Sequence, residues 1–470
     1  MAENRDDFVW TPQADAAALV RGALADFASD SPAAVKLASR LLNETGTRLV
    51  DWLDHLVLPA DDALAAELKT AGFEQAASLE LATLSDQVAW RHAGGMFPVI
   101  LLDSSPSKGN GSVGERCSRR LAIRVDSVDD FVAAQRLDSL SLADAQIEGA
   151  AGGRFRTVVF AREGNVELMA VERHGYAGFA PTTDSEDKIV AAAEHHAAFE
   201  ARKRDFKRPN DGFKKARKLI EEAIDDLGAD WTCDLFFDSE RHYWQGKNRA
   251  GQIQKARQDA LGLGWGNQDH HTYRSSREHF STLIALLEQF GFVCRERFYA
   301  GEEAGWGAQV LEHPVCGIAV FADVDLTPEE VTGDFAHEPL EALAEVGTIG
   351  LWCALHGEAI LAAGMHHLEC QFNFNAAVEQ LASEGIDTMP PFTDLEFLKQ
   401  AFTEGEIWPV AEAKIEAARA SGLIDGDQAK QFAASGALGS HLEILERNQG
   451  YKGFNQTGIS QIIRETDPRA

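Results

Sequence analysis

The sequence predicts an α+β fold of tandem, paired βαβββ modules, forming two domains joined by a helical connector and preceded by N-terminal helices. Three observations predict it. Short apolar runs separated by helical patterns occur in four successive groups, each reading as one strand, one helix and several strands. Two landmarks recur in the same order in both halves: DWLDHLVLP, a helix and TAGF are paralleled by NQDHHTYRS, a helix and QFGF, and VERHGYAGF (171–179) is paralleled by LERNQGYKGF (445–454). Between the halves, roughly 185–262, the pattern is helical throughout.

Along the chain, residues 12–46 carry Ala and Leu at helical spacing with few turn residues, and 1–48 is expected to be a helical appendage. The first domain, 49–180, begins with LVDWLDHLVL (49–58) as a strand. ADDALAAELKTAGF (60–73) follows as a helix closed by Gly72, then FPVILLD (97–103) as a strand. RLAIRV (120–125) restarts the unit, with a helix from Ser127 and later strands in TVVFA and NVELMAVER. After the connector (181–264), the second domain, 265–470, repeats the order. NQDHHTYR (267–274) reads as a strand, EHFSTLIALLEQFGF (278–292) as a helix and GIAVFADVD (317–325) as a strand. MHHLECQF (365–372) opens the fourth unit, AAVEQLASEGI (376–386) is its helix and SHLEILER (440–447) its last strand, before a closing helix at 456–465.

Composition narrows the function. With 74 acidic and 44 basic residues the net charge is −30, which argues against a general binder of nucleic acid or anionic membrane. No apolar run approaches the ~18 residues of a membrane span. Six scattered cysteines without a Cys-x-x-Cys predict reduced thiols. The start MAENRDDFVW lacks a basic-then-apolar pattern, so a cytoplasmic location is expected. Residues 200–218 hold nine basic and three acidic residues and read as a solvated helix face rather than an anion site. The adjacent His195 and His196 diverge on a helix, which speaks against a metal site there.

Strand alternation selects the candidate chemistry. In NQDHHTYR, His270, Thr272 and Arg274 share a face and His271 points away. In MHHLECQF, His367 and Glu369 share a face and His366 looks the other way. In SHLEILER, Glu443, Leu445 and Arg447 share a face, opposed by Glu446. Two imidazoles and a carboxylate on inward faces can form a two-His-one-carboxylate site with three positions open on a non-haem Fe(II). Arg274, on the His270 face, can hold a substrate carboxylate through a bidentate pair. Glu369 reads equally as a partner or proton carrier beside the metal and as a solvated strand residue.

Paired units with His on the first strand of each and Glu on the final strand resemble the vicinal oxygen chelate superfamily. GMHHLECQFNFNAAVEQLASEGIDTMPP (364–391), GLID (422–425) and HLEILERNQGYKGFNQTGISQIIRE (441–465) are similar to the C-terminal part of the 4-hydroxyphenylpyruvate dioxygenase family. That resemblance implies that His270, His367 and Glu443 bind Fe(II), or another divalent metal, and that Gln431, Phe432 and Phe454 lie near the substrate. DHHTYR, with His270 and Arg274 spaced as His-x-x-x-Arg, resembles the 2-oxoadipate dioxygenase/decarboxylase family, where that His binds metal and that Arg a carboxylate. Both families imply a small-molecule 2-oxo acid and O2 as reactants and loss of CO2; no nucleic-acid or membrane partner is implied, and a homo-oligomer stays open. The alternatives are extradiol ring cleavage and metal-free small-molecule binding on the same scaffold. In the first half, His55, Arg120 and Met169 take the places of His270, His367 and Glu443. One ligand of three survives, so that half is expected to be a structural or interface copy.

Overall fold

The computed structural model describes residues 11–76, 83–105, 119–137, 146–302, 304–453 and 467–469. Phe454 and the expected closing helix at 456–465 lie outside the described residues. The first sheet contains β1 (Leu53–Pro59), β2 (Phe73–Gln75), β3 (Gln87–His92), β4 (Val99–Asp103), β5 (Arg119–Arg124), β6 (Ile147–Glu148), β7 (Phe155–Glu163) and β8 (Val166–Arg173). The second contains β9 (Gln268–Arg274), β10 (Val293–Tyr299), β11 (Trp306–Glu312), β12 (Ala319–Asp325), β13 (His367–Gln371), β14 (Thr393–Leu395), β15 (Leu398–Phe402), β16 (Glu406–Trp408) and β17 (Ala437–Arg447).

The strand orders are β2-β3-β4-β1-β5-β8-β7-β6 and β10-β11-β12-β9-β13-β17-β15-β14, with β16 added on β17. In each sheet the first and last strands of a unit pair in parallel (β1 with β4, β5 with β8, β9 with β12, β13 with β17). The two first strands then join the units antiparallel (β1 with β5, β9 with β13). Each sheet is thus a pair of βαβββ units, and the two sheets repeat one topology. A parallel pair needs a crossover, supplied in the first unit by the helix Asp62–Thr70. Asp61 caps its start by accepting from the Ala63 N–H, and Gly72, at φ +88°, turns the chain out of its end.

Alternation divides the second sheet into two chemistries. Tyr273, Leu368, Cys370, Leu442 and Ile444 face the helices and join a core with Phe236, Phe237, Phe280 and Leu283. His271 is also on that side, edge-on to Phe237. The intervening residues form the polar face.

Some boundaries differ from expectation. LVDWLDHLVL is not one strand: Leu49–Trp52 form a 3-10 turn, with Asp51 accepting from the Arg48 backbone and guanidinium, and β1 starts at Leu53. The connector forms helices Glu186–Ala201, Pro209–Leu227, Ala229–Gln245 and Arg249–Asp259, which pack on the second sheet; Trp244 donates to the Ser440 hydroxyl at 2.8 Å. Its basic stretch is only partly solvated, because Arg202 and Arg204 are buried against Glu240. His195 and His196 diverge, onto Asp226 and Asp238. The halves touch directly, the Met96 N–H donating to the Gly450 carbonyl at 2.9 Å, and the N-terminal segment bridges onward: Arg48 donates to Asn448 at 2.7 Å, and the Thr45 carbonyl accepts from Gln254 of the connector at 2.9 Å. Among the described residues no helix is long and apolar enough to cross a membrane, and the five cysteines are unpaired.

Candidate metal centre

Register brings the donors together. His270 on β9 lies opposite Glu369 on β13, which lies opposite Glu443 on β17, so three side chains stand abreast across neighbouring central strands. His367, two residues before Glu369, shares its face and lies opposite His441. The His270 Nε2 touches Glu369 Oε2. His367 Nε2 lies 2.7 Å from Glu369 Oε1 and 3.5 Å from Glu443 Oε2. All four residues are buried, so Glu369 is not a solvated strand residue.

Burial sets the electrostatics. It holds His270 down at about 4 and His367 well below the usual imidazole range, so both are neutral and in the form that ligates a cation. It pushes Glu443 up to about 8, and the combination of burial and the neighbouring Glu443 raises Glu369 well above the carboxylate range. Two carboxylates packed in a dry site need a shared proton or a cation. Two imidazoles and two carboxylates also suit a divalent transition metal by donor type. His367, Glu369 and Glu443 offer ligand atoms within 4.8 Å of one another, as do Asp269, His270 and Glu369, and the two groups share Glu369.

A supporting ring fixes these groups. Asp269 Oδ1 lies 2.9 Å from His270 Nδ1, Gln400 Nε2 donates to Glu443 Oε1 at 3.0 Å, and Thr272 Oγ1 donates to Glu369 Oε1 at 3.3 Å. Beside the donors is a second polar group. His366 Nδ1 lies 2.7 Å from His367 Nδ1, and the His366 ring stands edge-on to Trp352 and His441. The expectation that His366 looks away is therefore corrected: it precedes β13, where strand alternation does not apply. His441 stacks on Phe402 at 3.9 Å between ring centres. Arg274 is buried with its guanidinium 5.5 Å from the Trp352 ring, and its Nε and Nη1 have no partner among the described residues. The same holds for His366 Nε2 and both ring nitrogens of His441. Burial lowers Arg274 and pushes Asp323, its register neighbour on β12, up to about 8.

The other expected site residues lie elsewhere. Gln431 is exposed on the helix Gly426–Ser435, and Phe432 on that helix packs with Leu351, Leu355 and Ile415 in a separate cluster. Neither joins the donors, because the capping box at Asp425 sets a helix whose apolar side faces other helices. Sequence reasoning missed His441, Asp269 and Gln400. The i, i+2 spacing of His441 from Glu443 was a usable signal, as was the Asp-His pair repeated at 54–55 and 269–270. In the first sheet the same register aligns His55 with Ala122 and Met169, and Arg120 with Glu167. Its counterparts of Glu369 and Glu443 are therefore Ala122 and Met169.

Strand order and register settle the architecture. Each half is one sheet built from two βαβββ units joined through their first strands. No protein-family model and no curated protein matches the chain. Solved structures to which it is similar include a mutant 4-hydroxymandelate synthase from Streptomyces coelicolor, at 14% identity and TM-score 0.29 over 89% of this chain and 99% of that one. A xylose isomerase-like TIM barrel/4-hydroxyphenylpyruvate dioxygenase fusion protein aligns at 13% identity and TM-score 0.23, over 92% of this chain and 56% of that one. A methylmalonyl-CoA epimerase from Mycobacterium tuberculosis aligns at 12% identity and TM-score 0.22, over 38% of this chain and 87% of that one.

Proposed function

We propose that the second module, within 265–470, is the catalytic domain of an Fe(II)- and O2-dependent dioxygenase that acts on a 2-oxo acid with loss of CO2. The observation that supports this reading is one buried cluster in which Glu369 touches His270 and lies 2.7 Å from His367, itself 3.5 Å from Glu443. Iron held there supplies a chelation point for the 2-oxo acid and the activation of O2. The chain supplies the rest. His270 presents Nε2 because Asp269 occupies its Nδ1, and Glu443 is oriented by Gln400. Glu369 holds the proton that two abutting acids must share, a proton that a bound cation would replace. Phe321 and Phe402, packed on His270 and His367, keep water from the donors. Arg274 orients a carboxylate of the substrate.

One observation favours a substrate with a second carboxylate, as in the 2-oxoadipate dioxygenase/decarboxylase family. Arg274, His366 and His441 together offer buried polar atoms with no partner among the described residues, beside the donors. An extended polar substrate would satisfy them, and an apolar ring would not.

The test is anaerobic loading with Fe(II), followed by O2 uptake and CO2 release with aromatic and dicarboxylic 2-oxo acids. Uptake matched by CO2 release with one class is expected. Iron-loaded protein that consumes no O2 with any of them would overturn the reading.

A further inference from the structure

The first module keeps a cavity where the second keeps its donors. It has a volume of about 230 Å³ and is lined by His55, Arg120, Met169, Leu101, Phe155 and Phe179 among others. Three of these occupy the register positions of His270, His367 and Glu443. Replacing Glu443 by Met169 and Glu369 by Ala122 removes the anionic donors, and Arg120 puts a fixed cation where a ligand would stand. The result is an apolar chamber with one charged wall, a combination suited to a small ligand rather than an ion.

The charged wall is built. Arg120 gives Nε and Nη2 to one oxygen of Glu167, at 3.0 and 2.6 Å, and Arg162 Nε donates to the other oxygen at 2.8 Å. Glu167 is thus shared between two guanidiniums, and Arg120 retains N–H donors beyond the two it has used. His55 has Asp54 on Nδ1 at 2.5 Å, which leaves Nε2 as its second polar atom. The acidic lining residue Glu148 is exposed. The apolar walls are built too: the Arg173 guanidinium, held by Asp54, lies over Phe155 and Phe179 at 4.7 and 4.8 Å. Size sets the occupant, since an apolar cavity of about 150 Å³ holds benzene. The volume here accommodates one ring with a short acidic arm.

We propose that the first module is a metal-independent binding site for a compact aromatic monocarboxylate, its carboxylate on Arg120 and its ring among Leu101, Phe155, Met169 and Phe179. This assigns a ligand to a half whose expected role was structural, and it holds whether or not the second module is a dioxygenase.

The test is calorimetric titration of the full chain, dialysed against a chelator, with phenylacetate and with uncharged 2-phenylethanol. One phenylacetate per chain is expected, bound about tenfold or more tightly than the alcohol. Arg120→Gln should abolish that preference. Met169→Trp, which fills the chamber, should abolish binding, with thermal melts showing that each variant is folded; if Met169→Trp does not fold, Arg120→Gln alone decides. Equal binding of acid and alcohol, or no binding up to about 10 mM, would overturn the proposal. Binding that survives Met169→Trp and is lost in His367→Ala would place the site in the second module and overturn it as well.

Discussion

Asp269 receives the guanidinium of Arg447 through both carboxylate oxygens, at 2.9 Å each, while its Oδ1 lies 2.9 Å from Nδ1 of His270. The remaining Arg447 nitrogen, Nη1, donates to the carbonyls of Tyr451 and Gly453 in the following turn. The first module repeats the device: Asp54 is bound by Arg173 at 2.6 and 2.8 Å and lies against His55, and Arg173 Nη1 reaches the carbonyls of Tyr176 and Gly178. The repeated GYAG and GYKG segments are the turns these arginines hold. The clamp persists in the module whose carboxylate positions are Ala122 and Met169, so its first role is to tie the first strand to the end of the last. In the second module it also fixes which imidazole nitrogen faces the donors.

Asp269→Asn keeps the shape and removes the charge. Metal affinity should fall by about 10–100-fold, measured by competition with a coloured chelator. The melting temperature should fall as well, because buried Arg447 loses its counter-charge. Unchanged affinity would show that Asp269 does not position His270.

Glu369 and Glu443 should separate by their response to metal. Glu369→Gln relieves two buried acids in contact and should raise metal-free stability by ~1–2 kcal/mol. Stabilisation by added divalent metal, about 2.7 kcal/mol at a hundredfold excess over Kd, should persist. Glu443→Gln should lose that metal-induced shift in a thermal melt. The reverse pattern would make Glu369 the ligand.

His174 joins the first module to the connector electrostatically, with Nδ1 on Asp234 at 2.8 Å and Nε2 on Glu172 at 3.0 Å. Those two carboxylates outweigh burial and raise it to about 10. In the unfolded chain a histidine titrates near ~6.5, so the stabilisation is complete below that pH and is lost as pH rises towards 10. Urea unfolding at pH 6, 8 and 10 should show this decline, and His174→Gln should flatten it.

Arg274→Met should separate stability from binding. Removing a buried guanidinium with unpartnered nitrogens should stabilise the metal-free chain by ~1–3 kcal/mol. It should also raise KM for the 2-oxo acid by about tenfold or more. A lower melting temperature with unchanged KM would give Arg274 a structural role only.

Legibility followed the range of the physical signal. Strand alternation is local, so it grouped His270, Thr272 and Arg274 on one face of their strand and His367 and Glu369 on one face of theirs. It misplaced His366, which lies just outside its strand and turns beside His367. The repeated landmarks disclosed the paired topology because equal turns enforce equal connections. Gln400 was invisible, because which residue of β15 meets β17 depends on a pairing register set by a long intervening connection. The burial of Arg202 and Arg204 on Glu240 was equally hidden, since a charge count does not say which charges find partners inside. The first four residues of 49–58 read as strand from their apolar content and were turned by the Arg48–Asp51 contact.

We propose that the second module alone holds a metal ion. Metal stoichiometry of the purified full chain after anaerobic Fe(II) loading and desalting tests this. One ion per chain is expected, lost in His270→Ala, His367→Ala and Glu443→Gln, and retained in His55→Ala. Two ions per chain, none, or retention in His367→Ala would contradict it.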